Sequence, residues 1–165
     1  MITRARSALR IASLLTTIVA IMAVLMAPGV ASAAPTAATD VTTQVIDLTN
    51  AERARAHLPA LVPNAALTRV AASYAGMLAH GTCFAHTCGP VPFASRFDQA
   101  GYTGWSRIGE NIAGGYPTPA AVVAAWMSSP GHRANILDAR FKEIGVGVAT
   151  GGPYGIYWVQ DFGAR

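Results

Sequence analysis

Near its C-terminal end the chain alternates Ile144, Val146 and Val148 with Gly145, Gly147 and Ala149. An apolar residue at every second position is the pattern of a strand with one face on a core. The other face is nearly bare, because glycine has no side chain, so a helix or another backbone can lie directly on it. After the turn GGPYG at 151–155, the run Ile156 to Gln160 (IYWVQ) reads as the returning strand of a hairpin. The segments before this hairpin read mainly as helices. Helices first and antiparallel strands last favour an α+β fold, a small antiparallel sheet covered by helices, over a Rossmann-type alternation.

The helical segments have recognisable ends. From Asp40, the residues Val41, Val45, Leu48 and Ala51 recur at helical spacing, with Arg53 and Arg55 on other faces and Pro59 as the stop. Asn64 caps a second helix that carries Leu67, Val70, Ala71, Tyr74, Met77 and Leu78 on one stripe until Gly81. Residues 82–92 read as a loop. Phe93 and Phe97 sit one turn apart on a short helix stopped by Gly101, and the segment SRIGENIAG at 106–114 reads as a short strand leading into a glycine turn. Thr118 and Pro119 open a further helix with Val122, Val123 and Trp126 on one face. Pro130 and Gly131 are expected to end it, placing His132 where the chain has just turned, with at most one more helical turn through Leu137.

The N-terminus has a different character. Arg4, Arg6 and Arg10 precede an apolar run from Ile11 to Ala27, and Ala31-Ser32-Ala33 supplies small residues for cleavage, the pattern of a secretory signal over 1–33. A retained membrane anchor is the competing reading; Pro28 and the Ala-Ser-Ala site count against it. Cleavage after Ala33 leaves 132 of the 165 residues: a flexible tail at 34–39 and one domain at 40–165. It also removes three of the 12 basic residues and none of the 8 acidic ones, so a formal charge of +4 becomes 9 against 8, or +1. With no basic cluster left, nucleic acid is not an expected partner and no stable membrane span remains. About 130 residues are enough to bury roughly two-thirds of the unfolded surface in one core.

Export would carry Cys83 and Cys88 into an oxidising compartment, where a disulfide is the default and a thiolate metal pair the alternative. The CxxxxC spacing excludes a CxxC redox motif. Between them lies His86, which with Glu110 and His132 makes a candidate site. Two imidazoles and a carboxylate suit zinc or a similar divalent ion, with a remaining position for water. No two of them share a helix face as in HExxH. Two competing readings use the same residues. Ser95, Ser128 or Ser129 could be a nucleophile with His86 or His132 as base, although no GxSxG elbow is present. Alternatively, the histidines donate to backbone carbonyls and Glu110 accepts from loop amides, a purely structural role that Asn111 and Asn135 also fit. Arg133 is expected to pair with Asp138 or Glu143.

Taken in order, LTNAERARAHLPAL, the helix from Asn64, CFAHT, RFDQAGY, GENIAGG, AAWMSSPGHRANIL, FKEIGVGVA and YWVQDFG resemble the bacterial secreted branch of the CAP superfamily over about residues 43 to 163. The relatives include cysteine-rich secretory, antigen-5 and plant pathogenesis-related proteins. The resemblance implies an α-β-α sandwich with a histidine- and acid-lined cleft. It matches His86 to the first family histidine, Glu110 to the acid of GEN and His132 to the histidine of GH. Many eukaryotic members carry a second acid where this chain has Ser129, and the short cysteine loop also departs from the animal pattern. Members are linked variously to lipid or sterol binding, proteolysis, defence and cell-surface interaction, so fold alone does not transfer a chemistry. The expectation is a secreted, extracellular binding or interaction module for a lipid, glycan or protein ligand, with His86, Glu110 and His132 holding a divalent ion such as zinc. The alternative is a peptidase-like hydrolase using these three residues to activate water.

Overall fold

A computed structural model describes residues 40–165; the signal at 1–33 and the tail at 34–39 lie outside the described residues. In chain order the elements are α1 (Val41–Arg55), β1 (Val62–Pro63), α2 (Ala65–His80), α3 (Phe93–Gln99), β2 (Arg107–Gly114), α4 (Pro119–Ser128), α5 (Pro130–Ile136), β3 (Glu143–Gly151) and β4 (Gly155–Ala164). The strands form one sheet in the order β1-β3-β4-β2, antiparallel except for β1 beside β3. Among the described residues no helix is long and apolar enough to cross a membrane.

Side-chain alternation along β4 explains the layering. Trp158 and Phe162 point into a core shared with Val45 and Ile46 of α1, Val122, Val123 and Trp126 of α4, and Ile136 of α5. Tyr157 and Val159 point the other way, into a core made by Ala71, Tyr74, Ala75 and Leu78 of α2. Leu67, Val70, Phe97 and Tyr102 extend this second layer beneath α3. The chain is therefore a sheet between two helical layers, the α-β-α sandwich of the α+β class.

The local signals held where they were chemically specific. Asn64 accepts hydrogen bonds from the backbone N–H groups of Ala66 and Leu67 at 2.8 and 3.2 Å. Thr118 accepts from Ala121 N–H at 3.2 Å, with Pro119 in the first turn of α4. Pro130, however, starts a helix instead of ending one. Ser129 has extended backbone between α4 and α5, and Pro130 occupies the first turn of α5, where a missing N–H costs nothing. His132 consequently lies in the first turn of a two-turn helix.

Three other expectations change. The buried face of α1 is Val45, Ile46, Thr49 and Arg53, while Val41 and Leu48 are exposed. Met77 is also exposed, though its neighbours Tyr74 and Leu78 are core. The returning strand continues past Gln160 to Ala164, because Asp161 to Ala164 pair with Glu110 to Arg107 of β2.

One carboxylate ties the two ends of the domain together and gives it a pH dependence. Glu143 of β3 accepts from Arg165 Nη2 at 2.9 Å, from Tyr102 Oη at 2.6 Å and from the capping Asn64 at 2.7 Å. Arg165 above all, with Tyr102 and Asn64, holds its pKa at about 2 against the upward push of burial. Asp138 is likewise held at about 2, chiefly by Arg140. Both values lie below the unfolded-chain values of about 4. Their stabilisation is therefore complete above about pH 4 and is lost as pH falls toward 2. Urea unfolding over this range should show the loss, and Glu143→Gln should flatten it; an unchanged slope would remove Glu143 as a cause.

Candidate functional site

His86 sits in a loop closed by the Cys83–Cys88 disulfide, which spans five residues of sequence. The loop is fastened to α2 by a single phenol. Tyr74 Oη donates to Ala85 O at 2.6 Å, and Cys88 N–H donates to Tyr74 Oη at 3.1 Å. Arg96 of α3 adds a third tie, donating from Nη2 to His86 O at 2.9 Å. The imidazole itself remains half exposed.

Glu110 comes from β2, whose register points it toward the α2 layer, and its carboxylate is buried. His86 Nδ1 lies 2.9 Å from Glu110 Oε1. Arg96 Nη2 donates to the same oxygen at 3.2 Å and is 3.0 Å from Oε2. The guanidinium lies over the Tyr74 ring, 3.3 Å from its centroid, with Phe93 at 5.2 Å. A buried carboxylate, its cation and an imidazole on the rim thus form one connected group.

His132 is positioned by the opposite face of the sheet. Asn111 Nδ2 donates to His132 O at 3.2 Å and to Gln160 Oε1 at 3.0 Å, and Gln160 Nε2 donates to Thr49 Oγ1 of α1 at 2.7 Å. Asn135 Nδ2 donates to Asn111 Oδ1 at 2.9 Å and to Glu110 O at 3.1 Å. This amide chain joins α1, β4, β2 and α5, so the structural role expected for the two asparagines is met. Burial, and then the nearby His86, lower the His132 pKa, favouring the neutral ring.

The two imidazoles open onto adjoining shallow clefts. One, of about 240 Å³, is lined by His86, Phe93, Gly109 and Glu110. The other, of about 260 Å³, includes Phe84, Tyr116, Trp126, Ser129 and His132. Phe84 belongs to the same disulfide loop as His86, which links the two.

The three-ligand metal set does not fit this arrangement. Glu110 is already engaged by Arg96 and His86, and an arginine 3.0 Å away opposes a dication at that carboxylate. Among the described residues no group of three or more His, Cys, Asp or Glu side chains is placed to hold a metal ion. The disulfide also removes the thiolate pair from consideration. The serine reading fares no better: Ser128 Oγ donates to Ala124 O at 2.9 Å on the helix surface, and no hydrogen bond joins a serine to either imidazole among the described residues. Glu110 accepts from side chains, not from loop amides. Arg133 does not take its expected partners, since Asp138 pairs with Arg140 and Glu143 with Arg165.

Asp161 was not anticipated from the sequence. It is wholly buried directly across from Glu110 in the β2–β4 register. Burial first, then the charge of Glu110, push its carboxyl well above the usual carboxylate range. A signal was available: an acidic residue in a run whose every neighbour is strand-like or glycine.

The family model of the cysteine-rich secretory protein family (CAP) matches residues 46–162. Bacillus subtilis (strain 168) YkwD is 37% identical over 133 residues, covering 79% of this chain and 50% of YkwD. The membrane protein YlbC of the same organism is 30% identical over 119 residues, covering 72% of this chain and 33% of YlbC. The chain thus spans half or less of the length of these relatives. An extracellular SCP-domain protein from Bacillus anthracis superposes with TM-score 0.67 at 29% identity, covering 75% of this chain and 40% of the other. An outer surface protein from Borrelia burgdorferi gives TM-score 0.68 at 22% identity, covering 76% and 96%, a likeness of fold. With the family model spanning most of the described sandwich and its His86, Glu110 and His132 positions, the chain belongs to the cysteine-rich secretory protein (CAP) family.

Proposed function

We propose that this chain is an extracellular binding module whose ligand enters the paired clefts between His86 and His132. The observation that carries the reading is the 2.9 Å contact between a half-exposed imidazole and a buried carboxylate, with a second histidine on the adjoining cleft. Glu110 acts from below, holding His86 through Nδ1, while His86 Nε2 and the His132 ring meet the ligand. Export is supported by the basic and apolar N-terminal pattern and by the extracellular or surface descriptions of the structural neighbours. A lipid is the least favoured of the ligand classes. Phe97 is fully buried, Phe93 lines the His86 cleft, and Met127 lines a separate hollow with Arg133, so the three make no common apolar surface.

Imidazole resonances give the test. A glycan or peptide that binds should shift the ring signals of both His86 and His132 and lose at least about tenfold in affinity in His132→Ala. Binding that leaves both rings undisturbed would place the ligand elsewhere. Calorimetric titration of zinc into chelator-treated protein checks the ligand set separately. We expect no one-to-one binding that is lost in both Glu110→Gln and His132→Ala; such binding would restore the three-ligand site.

The same pair favours a second reading, a hydrolase in which Glu110 orients His86 as general base. Peptide turnover that falls by roughly 10²–10⁴ in His86→Ala would select it over binding alone.

A further inference from the structure

We propose that Asp161 is a positioning residue of the cleft: its carboxyl is neutral and donates its proton to Glu110 Oε2, so that a single negative charge is held between Arg96 and His86. The proposal rests on the reading of His86 and Glu110 as the working pair of the site.

The argument begins with the register. Glu110 and Asp161 are directly opposed on β2 and β4, and Asp161 is opposed on its other side by Gly145 of β3. All three positions face the α2 layer. There the α2 backbone is so close that a Cβ on Gly145 would fall 2.1 Å from the carbonyl carbon of Leu67. Asp161 accordingly has no exposure at all, and solvent cannot supply its missing donors.

The surrounding polar atoms then leave one arrangement. Neither Asp161 oxygen has a hydrogen-bond donor, and Glu110 Oε2, 3.0 Å from Arg96 Nη2, takes no hydrogen bond from it. Arg96 makes no further hydrogen bond to the pair: its Nε and Nη1 are buried without acceptors while the guanidinium stacks on Tyr74. Two adjacent buried carboxylates cannot both stay ionised against a single cation. A proton on Asp161 makes it a donor and gives Oε2 the hydrogen bond it lacks. Burial and the charge of Glu110 act on Asp161 in the same direction. The charged and titratable groups around the pair are Arg96 from α3, Tyr74 from α2 and His86 from the disulfide loop.

The consequence for the site follows from donor and acceptor roles. With the proton on Asp161, Glu110 Oε1 is left as an acceptor, so the His86 nitrogen facing it, Nδ1, carries a hydrogen. The outward nitrogen, Nε2, is then the one available to a ligand. Asp161 thus acts on the ligand's nitrogen through Glu110 without touching the ligand.

Side-chain carboxyl ¹³C NMR on the whole protein tests the protonation, with the Asp161 signal identified by its disappearance in Asp161→Asn. The expected result is a protonated Asp161 signal at neutral pH. A signal already ionised at neutral pH, with its midpoint near the ordinary value of about 4, would overturn the proposal. Ring ¹⁵N shifts of His86 test the positioning. Asp161→Asn, whose amide still donates to Glu110, should keep the Nδ1 signal in place, and Asp161→Leu, which leaves Oε2 without a donor, should free the carboxylate to turn toward Arg96 and so move or broaden the His86 Nδ1 signal. An unchanged Nδ1 signal in Asp161→Leu would remove the positioning role. The first measurement uses the unaltered chain, so it holds even where a variant folds poorly. Neither readout involves a ligand, so their failure is distinct from failure of the binding reading.

Discussion

Gly147→Ala is expected to destabilise the domain by about 4 kcal/mol or more, an unusually large effect for one methyl group. A Cβ at this position would lie 2.3 Å from the carbonyl carbon of Ala71 and 2.3 Å from Ala72 N. At Gly145 it would lie 2.1 Å from the carbonyl carbon of Leu67. These are backbone atoms of α2, so no rotamer change can clear them. The helix must lift from β3 and β4, and doing so opens the core containing Tyr74, Leu78 and Val159. Gly76→Ala is the matched control, since it adds the same methyl to the helix itself with nothing within 4 Å. It should stabilise by roughly 1 kcal/mol through helix propensity. Urea unfolding of the two variants decides the matter; a Gly147→Ala midpoint close to that of the parent would show that the α2 contact is not tight.

Arg53→Met is expected to cost about 3–5 kcal/mol. Arg53 is almost fully buried, and its guanidinium donates to Pro59 O at 2.9 Å, Ile136 O at 2.8 Å and Asp138 O at 2.9 Å. Ile136 O belongs to the last residue of α5 and Asp138 O lies two residues beyond it, so the side chain from α1 closes the end of the helix that holds His132. Methionine fills most of the volume but leaves three carbonyls without donors in a dry interior. The His132 ring signals should broaden or move along with the loss of stability. Arg53→Lys retains the charge without the planar array of donors and should fall between the two. If Arg53→Met unfolded with the parent's midpoint, the carbonyls must be finding water, and the closure of α5 would rest on packing alone.

The parts of this fold that could be read from sequence are those whose cause is local. The alternation at 144–149 predicted both a strand and the closeness of a helix, because a glycine face has one obvious use. Asn64 and Thr118 announced helix starts through the short side chains that cap them. The α1 face was misread because its buried polar members, Thr49 and Arg53, draw part of their hydrogen bonding from Gln160 and from two carbonyls more than eighty residues away. Nothing near α1 in sequence indicates those partners. Pro130 carries two meanings, stop and start, and only the packing of α5 against β2 selects between them. β1 is two residues long and exists only because β3 lies alongside.

The candidate site was legible in part for the same reason. His86, Glu110 and His132 were found as residue types in suggestive settings, and the structure joins His86 to Glu110. Against the ligand set drawn from them stands Arg96 on Glu110, which the sequence offers only as a helix residue beside Phe97. Asp161 was hidden because aspartate and glycine after Gln160 look like the end of a strand. The strand continues there because β2 supplies the pairing.

The sheet's two margins end differently. On one side β1 stops after two residues at Pro63, which has no N–H to offer. On the other, the outward carbonyls of β2 are taken by helix side chains, Ile112 O by Trp126 Nε1 at 3.3 Å and Glu110 O by Asn135 Nδ2 at 3.1 Å. Those two β2 carbonyls are therefore not open to another chain's strand, whereas among the described residues β3 beyond Ile144 has no strand on its β1 side. Cutting away the indole in Trp126→Phe should weaken that guard as well as the core, so its damage would be expected to show first as association between molecules at high concentration.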